Sequence, residues 1–344
     1  MDTTEKEQAS QQNEVLLDVR NLTKYYPIKT NLGRRVIGTV KAVDGVSFQI
    51  RKGQSVGLVG ESGCGKTTAG RCVLRAIDPT GGEILMHDGE KMVDVLALRR
   101  KELRTFRRHM QLIFQDPHSS LNPRMTVMQI IAEPLVIHKL ARGRELQQRV
   151  RTLMEQVGLD PRYINRYPHA FSGGQRQRIG IARALALHPK LIVADEAVSA
   201  LDMSMQAQIL NLLKDLQRKL DLTYLFITHD LSVVRHFCDH VLVMYAGKLV
   251  EIAETQALFT KPMHPYTEAL LAAAPHTTMG REENQLVLSG EVPDPAHRPP
   301  GCPFHPRCRF VEDRCRSEDP PLREVSVGRQ SGCHLTEGLT LTGL

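Results

Sequence analysis

The chain has 344 residues, 41% of them hydrophobic and 24% charged, with a formal net charge of +7 and no tryptophan. This composition is typical of a globular protein with a sizeable core, and the length predicts about two domains or one large domain with an extension. No uncharged apolar run reaches 18 residues, so no segment is expected to span a membrane. The positive charges are scattered, which favours a solvated surface over a nucleic-acid interface.

The first part of the chain shows mostly strand patterns. Residues 1–14 are polar and lack an apolar core, which excludes a signal peptide and predicts a disordered tail. Alternating apolar residues predict strands over 15–20 and 43–50. A short buried strand at Ser55–Val59 is predicted to lead through a glycine-rich turn into a helix at Thr67–Ile77.

Further along, helices and strands are predicted to alternate around a helical insertion. Ser172 is a good N-cap for a long helix that His188-Pro189 ends. The other predicted elements are strands at Met110–Phe114, Leu191–Ala194, 223–227 and 241–246, and helices at 126–138, 143–157, 203–220 and 230–238. This alternation predicts a mostly parallel sheet covered on both faces, and the helix-only stretch from about 118 to 187 predicts an inserted helical subdomain. Beyond residue 275, frequent prolines exclude long regular elements.

The segment Gly60–Thr68 (GESGCGKTT) matches the phosphate-loop pattern G-x-x-x-x-G-K-[ST] between a predicted strand and a predicted helix. Glycines let the backbone turn its N–H groups toward phosphate oxygens, and the helix start adds its positive dipole end. Lys66 is expected to neutralise the β- and γ-phosphates, and the Thr67 hydroxyl to ligate Mg²⁺. The residues predicted to contact nucleotide here are Gly60, Ser62, Gly63, Cys64, Gly65, Lys66, Thr67 and Thr68.

A second candidate site segment is the apolar strand that ends in Asp195 and Glu196. Asp195 suits a partner for Mg²⁺, and Glu196 suits a base that deprotonates the attacking water. Two acids after an apolar strand are a weak signal when taken alone. The phosphate loop by itself also fits GTPases and small-molecule kinases. A third segment is therefore needed to identify the class of nucleotide-binding protein.

That segment is Phe171–Gln175 (FSGGQ), which resembles the signature motif of the ABC ATPases, LSGGQ. The other motifs of that family follow in the family's order, and the resemblance covers about residues 15–275. Gln115 resembles the Q-loop glutamine, Ser199–Asp202 the D-loop, and His229 the switch histidine. One departure is Ala197, where the family often has proline after the catalytic glutamate.

The resemblance implies an α/β fold, that of a P-loop ABC ATPase domain with a mixed sheet core, an antiparallel β subdomain and an inserted helical subdomain. It also implies two ATP molecules sandwiched between two head-to-tail domains. Ser172, Gly173, Gly174 and Gln175 then act on the ATP held by the partner, and Asp202 contributes from the D-loop. Glu196, His229 and Gln115 are the implied catalytic residues, while Thr67, Gln115 and Asp195 serve Mg²⁺. Tyr26 aligns with the aromatic residue that stacks on adenine, and Tyr25 is the competing choice.

Several segments resemble the ATPases of dipeptide and oligopeptide importers, most of all the second ATPase of such a system. They are Gln115-Asp116-Pro117 with SSLNPRMTV, His264-Pro265-Tyr266-Thr267 with EALL, and the cysteine-bearing tail. The resemblance implies a second, non-identical ABC ATPase, two membrane permeases and an external solute-binding protein. It places the chain peripherally on the cytoplasmic face of the cytoplasmic membrane. The expected domains are an ATPase domain over 15–262 and a transporter-type extension over 263–344.

Four of the seven cysteines crowd into the tail with the spacing C-x5-C-x6-C-x17-C, at Cys302, Cys308, Cys315 and Cys333. This is not a C-x-x-C zinc ribbon, and without a signal peptide a disulfide framework is disfavoured. Four thiolates in a proline-rich segment suit a 4Fe–4S cluster, which the resemblance also implies. Zinc, with His305 or His334 as a substitute ligand, and free thiols remain alternatives.

Three functions other than a peptide importer are alternatives. One is a soluble ABC ATPase acting on nucleic acid or ribosomes, supported only by the net charge of +7. Another is the same importer class with nickel or glutathione as solute, which the motifs do not separate. A GTPase or kinase is disfavoured because the chain has no Asn-Lys dipeptide and because neither class explains Ser172–Gln175.

Overall fold

A computed structural model describes residues 14–29, 36–273, 293–294 and 296–343. These residues form two compact units. The first consists of the described parts of 1–17, 50–54 and 85–227, and the second of the described parts of 18–49, 55–84 and 228–344. The tail expected at residues 1–14 lies, apart from Glu14, outside the described residues. Within the described ranges, no helix combines the length and the apolar character that a membrane crossing requires.

Twelve strands are found in the described part of the chain. In chain order they are β1 Val15–Lys29, β2 Val36–Arg51, β3 Ser55–Val59, β4 Gly81–His87, β5 Met92–Asp94, β6 Met110–Ile113, β7 Leu191–Asp195, β8 Thr223–Ile227, β9 His240–Tyr245, β10 Lys248–Glu254, β11 Arg323–Ser326 and β12 Arg329–Ser331.

The α-helices of the described residues alternate with these strands over much of the chain. They are α1 Lys66–Val73, α2 Arg100–Phe106, α3 Pro117–Ser120, α4 Val127–Ile137, α5 Gly143–Gln156, α6 Gly173–Leu185, α7 Met203–Leu220, α8 Leu231–Phe237, α9 Thr255–Thr260, α10 Pro265–Ala272 and α11 Asp313–Ser317.

The first unit contains three parallel strands and the helices that follow β6 in the chain. β7 pairs in parallel with β6 on one side and β8 on the other, with Leu191 opposite both Met110 and Thr223. All five residues of β7 and of β8 are buried, as expected for strands of a parallel sheet. Helices α3 to α6 lie between β6 and β7 in sequence, and α4 packs against α5 and α6.

The second unit combines parallel and antiparallel pairing. β3 pairs in parallel with β9, beginning with Val56 opposite His240, whereas β9 and β10 are antiparallel. The hairpin of β11 and β12 extends this part of the sheet, because β12 pairs antiparallel with β10 at Glu251 and Ser331. Strands β2, β1 and β4 follow one another in a separate sheet. The expected α/β architecture with a mixed sheet is therefore confirmed.

Several features differ from the sequence prediction. The strands expected at 15–20 and 43–50 are longer, at Val15–Lys29 and Val36–Arg51. Helix α1 ends at Val73 rather than at Ile77, because Arg75 adopts a left-handed conformation with φ 48° that stops the helix. Helix α2, the short strands β4 and β5, the segment from β10 to α10 and the elements α11, β11 and β12 were not predicted. Their apolar patterns are too short to stand out locally, and β10 is defined by its antiparallel pairing with β9.

Ion pairs to two buried glutamates hold the C-terminal segment against the preceding elements of the second unit. Arg329 of β12 donates to Glu251 of β10 at 3.0 Å, and Glu251 also accepts from the backbone N–H groups of Met263 and His264. Arg309 donates to both carboxylate oxygens of Glu268 on α10, at 2.9 and 3.0 Å. Both glutamates are almost fully buried, so loss of either arginine would leave a buried charge without its main partner.

His264 gives the stability of this region a pH dependence. Burial lowers the pKa of His264 to about 3, and its Nδ1 accepts from the N–H of Tyr266 at the start of α10. The folded state keeps this imidazole neutral, whereas the unfolded chain protonates it below about pH 6.5. Stability from this group is therefore complete above pH 6.5 and is lost progressively as the pH falls toward 3.

Between pH 7 and pH 5, His264 should cost about 2 kcal/mol of unfolding free energy. His264→Asn keeps an acceptor at the helix N-cap but does not titrate, so its unfolding free energy should fall less over the same pH range. Urea unfolding of both proteins at pH 7 and pH 5 measures the difference. Equal pH dependence in the two proteins would contradict this role.

Candidate nucleotide-binding site

The loop between β3 and α1 has a backbone that only glycine adopts readily. Gly60, Gly63 and Gly65 have φ values of 151°, 79° and 107°. A Cβ at Gly60 would lie 2.1 Å from the Met244 carbonyl oxygen, and one at Gly65 would lie 2.0 Å from the Ala42 carbonyl oxygen. Gly60 and Gly65 are therefore required by close backbone approach as well as by φ, whereas Gly63 is required by φ alone.

Lys66 begins α1 and folds back over this loop. Its Nζ donates to the carbonyl oxygens of Gly60 and Glu61, at 2.7 and 2.8 Å, and the side chain is 5% exposed. Both acceptors are neutral, so the ammonium charge remains available to attract an anion at the helix start. Cys64 is buried beneath the loop, and burial raises the pKa of its thiol.

Glu196 and Gln115 meet in the first unit. The Gln115 side-chain amide donates to a Glu196 carboxylate oxygen at 2.7 Å. Glu196 has φ 48°, a conformation that costs a non-glycine residue about 1–3 kcal/mol. Its N–H donates to the Ile227 carbonyl, and the Ser199 hydroxyl donates to the Glu196 carbonyl at 3.0 Å. The tertiary structure thus holds a strained backbone that presents this carboxylate to Gln115.

Ser172 caps α6 as its sequence pattern predicts. The Ser172 hydroxyl accepts from the Gln175 N–H at 3.4 Å, and the Gln175 side chain accepts from the Ser172 N–H at 3.0 Å. Both side chains are exposed, so this helix start is open to a ligand. Gly174 is buried, and a Cβ there would lie 1.8 Å from the Met205 methyl carbon.

The D-loop segment lies beside this helix start. Gly173 faces Leu201, with 3.6 Å between a Cβ built at Gly173 and a methyl carbon of Leu201. Asp202 caps α7 by accepting from the Met205 N–H at 2.9 Å. The structure therefore brings the FSGGQ segment and the Ser199–Asp202 segment together.

The two tyrosines proposed for adenine stacking differ in their surroundings. The Tyr25 hydroxyl donates to Asp44 at 2.5 Å, which raises the pKa of Tyr25 to about 12. Tyr26 is 37% exposed, with the Lys24 ammonium 4.9 Å from its ring centroid. An exposed ring is the better stacking surface, which favours Tyr26 over Tyr25. His229, the expected switch residue, is exposed just before the Asp230 cap of α8.

The predicted metal sites receive less support from the structure than the predicted nucleotide-binding residues do. Among the residues that the structure describes, no group of three or more His, Cys, Asp or Glu side chains is placed to hold a metal ion. Two of the four tail cysteines are adjacent, because the Cys302 N–H donates to the Cys315 carbonyl oxygen at 2.9 Å. Burial, and after it the neighbouring thiols of Cys333, Cys315 and Cys308, raises the pKa of Cys302 to about 12.

Sequence reasoning missed two residues around the phosphate loop. Arg307 donates to both carboxylate oxygens of Glu61, at 2.7 and 3.0 Å, and the Tyr266 hydroxyl accepts from the Glu61 N–H at 2.8 Å. The HPYT segment and the cysteine-bearing tail, in which Arg307 lies, were noticed only as family features. No local pattern could connect either of them with a loop some 200 residues earlier, at separations of 205 and 246 residues.

Comparison with known proteins agrees with this geometry. Residues 43–199 match the ABC transporter family, and residues 250–315 match the oligopeptide/dipeptide transporter C-terminal region. The oligopeptide transport ATP-binding protein AppF of Bacillus subtilis is 50% identical over 325 residues, which cover 94% of this chain and 98% of that protein. The "Probable peptide ABC transporter ATP-binding protein y4tS" of Sinorhizobium fredii is 51% identical over 323 residues, covering 94% and 90%.

Solved structures show the same fold. The ATP-binding cassette MJ0796, in a dimeric post-hydrolysis state bound to ADP and Pi, has a TM-score of 0.61 and 29% identity and covers 70% of this chain and 99% of its own. The cbiO1 protein of Clostridium perfringens, part of the ABC transporter complex cbiONQ, has a TM-score of 0.60 and 26% identity, covering 72% and 91%. The motifs, the fold and these relatives agree, and the chain belongs to the ABC transporter ATP-binding proteins, in the branch that carries the oligopeptide/dipeptide transporter C-terminal region.

Proposed function

We propose that this chain is the ATP-hydrolysing subunit of an ABC importer that powers uptake of di- and oligopeptides. The observation that carries the proposal is the pairing of a glycine-shaped phosphate loop with the oligopeptide/dipeptide transporter region in one chain. Relatives about 50% identical, over nearly their whole length, are named for peptide and oligopeptide transport. The same importer class with nickel or glutathione as solute is the second candidate.

The phosphate loop and the acidic strand end have separate tasks. Lys66 and the loop N–H groups bind the ATP phosphates, and Thr67 and Asp195 are the residues for Mg²⁺, with Gln115 as a further ligand. The ion screens the phosphate charge when it is bound. Glu196 takes the proton of the attacking water, and Gln115 orients the Glu196 carboxylate through their 2.7 Å hydrogen bond.

The FSGGQ segment serves a second ATPase chain. Ser172 and Gln175 stand exposed at the start of α6, where the positive end of the helix dipole attracts the γ-phosphate of an ATP bound to the partner. Asp202 supports that surface from the cap of α7. His229 contacts the γ-phosphate of the ATP bound in its own chain, and Tyr26 stacks on the adenine.

The chain works as one part of an assembly. Its partners are a second, non-identical ABC ATPase, two membrane permeases and an external solute-binding protein, and it is bound peripherally to the cytoplasmic face of the membrane. Residues 15–262 form the ATPase domain, with the helical subdomain at about 118–187, and residues 263–344 form the cysteine- and proline-rich extension. ATP binding closes the two ATPases, and hydrolysis reopens them.

Purification from native membranes, followed by reconstitution, tests this function. The chain should co-purify with two membrane proteins and a second ATPase, and peptide-loaded binding protein should stimulate ATP hydrolysis by the reconstituted complex. Stimulation by nickel or glutathione, but not by peptides, would replace the solute and keep the importer class. Recovery with nucleic acid or ribosomes instead would overturn the importer.

The four tail cysteines are proposed to bind a 4Fe–4S cluster. The donor set suits it, because such clusters are held by four cysteine thiolates and the backbone of Cys302 is hydrogen-bonded to that of Cys315 at 2.9 Å. When bound, the cluster would link segments that have little core of their own.

Anaerobically purified chain should contain about four iron and four sulfide ions per protein and absorb visible light. Cys308→Ser should lower iron and sulfide together, since it removes one of four ligands. The matched control is Cys238→Ser, a buried cysteine outside the tail, which should keep the full content. Colourless, iron-free protein with one zinc per chain would contradict the cluster.

A further inference from the structure

All three polar groups of Glu61, the second residue of the phosphate loop, are engaged by different parts of the second unit. Its N–H donates to the Tyr266 hydroxyl at 2.8 Å, and its carbonyl oxygen accepts from Lys66 Nζ at 2.8 Å. Its carboxylate accepts two hydrogen bonds from Arg307, at 2.7 and 3.0 Å. Glu61 therefore joins the C-terminal segment to the lysine that the proposed function assigns to ATP phosphates.

The Arg307–Glu61 pair has the geometry of a strong interaction. The two parallel N–H···O bonds form a bidentate fork, and the Arg307 side chain is only 5% exposed. The Tyr245 hydroxyl also accepts from the same guanidinium at 3.4 Å. A pair that is this sheltered is screened less by solvent than a surface ion pair.

An aromatic cluster fixes the position of Arg307. Phe304, three residues before it, is 2% exposed and packs edge-on against Tyr245, with 5.3 Å between the ring centroids. The rings of Phe304 and Tyr266 are 5.4 Å apart, and those of Tyr245 and Tyr266 are 4.5 Å apart. The 3₁₀ turn that carries Arg307 is therefore anchored to β9 and α10.

We infer that Arg307 is a positioning residue for ATP binding, which neutralises the Glu61 carboxylate and holds the phosphate loop in its binding conformation. A carboxylate inside a phosphate-binding loop repels the triphosphate and competes for Lys66. Arg307 cancels that charge and keeps the carboxylate turned away, because its fork needs both carboxylate oxygens. The C-terminal region thus completes the nucleotide site of its own chain. The inference rests on the proposed ATP-binding function.

Titration of the full-length chain with a fluorescent ATP analogue and Mg²⁺ tests this role. Arg307→Met removes the charge and keeps most of the stem, and should weaken binding roughly tenfold, the scale of one uncompensated charge at several ångströms. Arg307→Lys keeps the charge but loses the two parallel hydrogen bonds. Its affinity should therefore lie between that of the wild type and that of Arg307→Met. The double variant Glu61→Gln with Arg307→Met should bind within about threefold of the wild type, because no uncompensated carboxylate remains.

Arg309→Met is the matched control, since Arg309 lies in the same segment but pairs with Glu268 on α10. It should lower the melting temperature without changing affinity for the analogue by more than about twofold. Equal affinities of wild type and Arg307→Met would overturn the inference, as would a double variant as weak as Arg307→Met. A wild-type chain that does not bind the analogue at all would overturn the proposed nucleotide function together with the inference.

Discussion

Replacing Glu196 by Gln should lower the ATP hydrolysis rate of the assembled transporter about 10³-fold, while ATP affinity stays within about twofold of the wild type. The amide keeps the size of the side chain. Its oxygen can still accept from the Gln115 amide, which donates to the Glu196 carboxylate at 2.7 Å in the wild type. It cannot accept the proton of the attacking water. The loss therefore falls on the chemical step and not on binding.

Phosphate release under saturating ATP, together with nucleotide binding, separates these two effects. Glu155→Gln is the matched control, because Glu155 is an exposed glutamate on α5 that is assigned no part in catalysis. Its hydrolysis rate should equal that of the wild type. A Glu196→Gln variant that hydrolyses ATP at more than about a third of the normal rate would refute the role of general base.

The Gly65→Ala variant should melt about 4 °C below the wild type and lose measurable ATP binding. A Cβ at this position would lie 2.0 Å from the Ala42 carbonyl oxygen, and the φ of 107° is strained for alanine. The neighbour is backbone, so it cannot rotate away, and the loop must shift. We expect a cost of about 3 kcal/mol in unfolding free energy from strain and overlap together.

Gly63→Ala separates the conformational cost from the steric overlap. Gly63 also has a positive φ, 79°, but a Cβ there would have nothing within 4 Å. Its unfolding free energy should fall by only about 1 kcal/mol, which corresponds to about 1–2 °C in melting temperature. Calorimetry without nucleotide measures both variants. Equal shifts would show that the close approach to Ala42 does not constrain the loop.

Local chemistry in the sequence predicted the elements that carry the site. The strand before the phosphate loop was predicted at Ser55–Val59 and is found there, and Ser172 caps its helix as expected. A buried apolar strand and an N-cap serine are decided by residues within a few positions of each other. Order and spacing of the motifs then made the resemblance to ABC ATPases specific.

Elements whose stability comes from distant partners were not predictable in this way. Helix α1 ends four residues earlier than its apolar pattern suggests, and β12 forms by pairing with β10. The strand β12 has only three residues, too few for any alternation to be read. Its pairing partner lies in a different part of the chain, so only the folded structure defines it.

The phosphate loop, the acidic strand end and the FSGGQ cap were determined by the sequence itself, because glycine conformation, helix capping and strand burial act over a few residues. Only the tertiary structure decided that Gln115 donates to Glu196 and that Arg307 pairs with Glu61, 246 residues away. Charge pairing acts through space, and the spacing of residues along a chain says nothing about which charges will meet. The C-terminal region, marked in the sequence by its cysteines, contacts the phosphate loop through an arginine that no motif singled out.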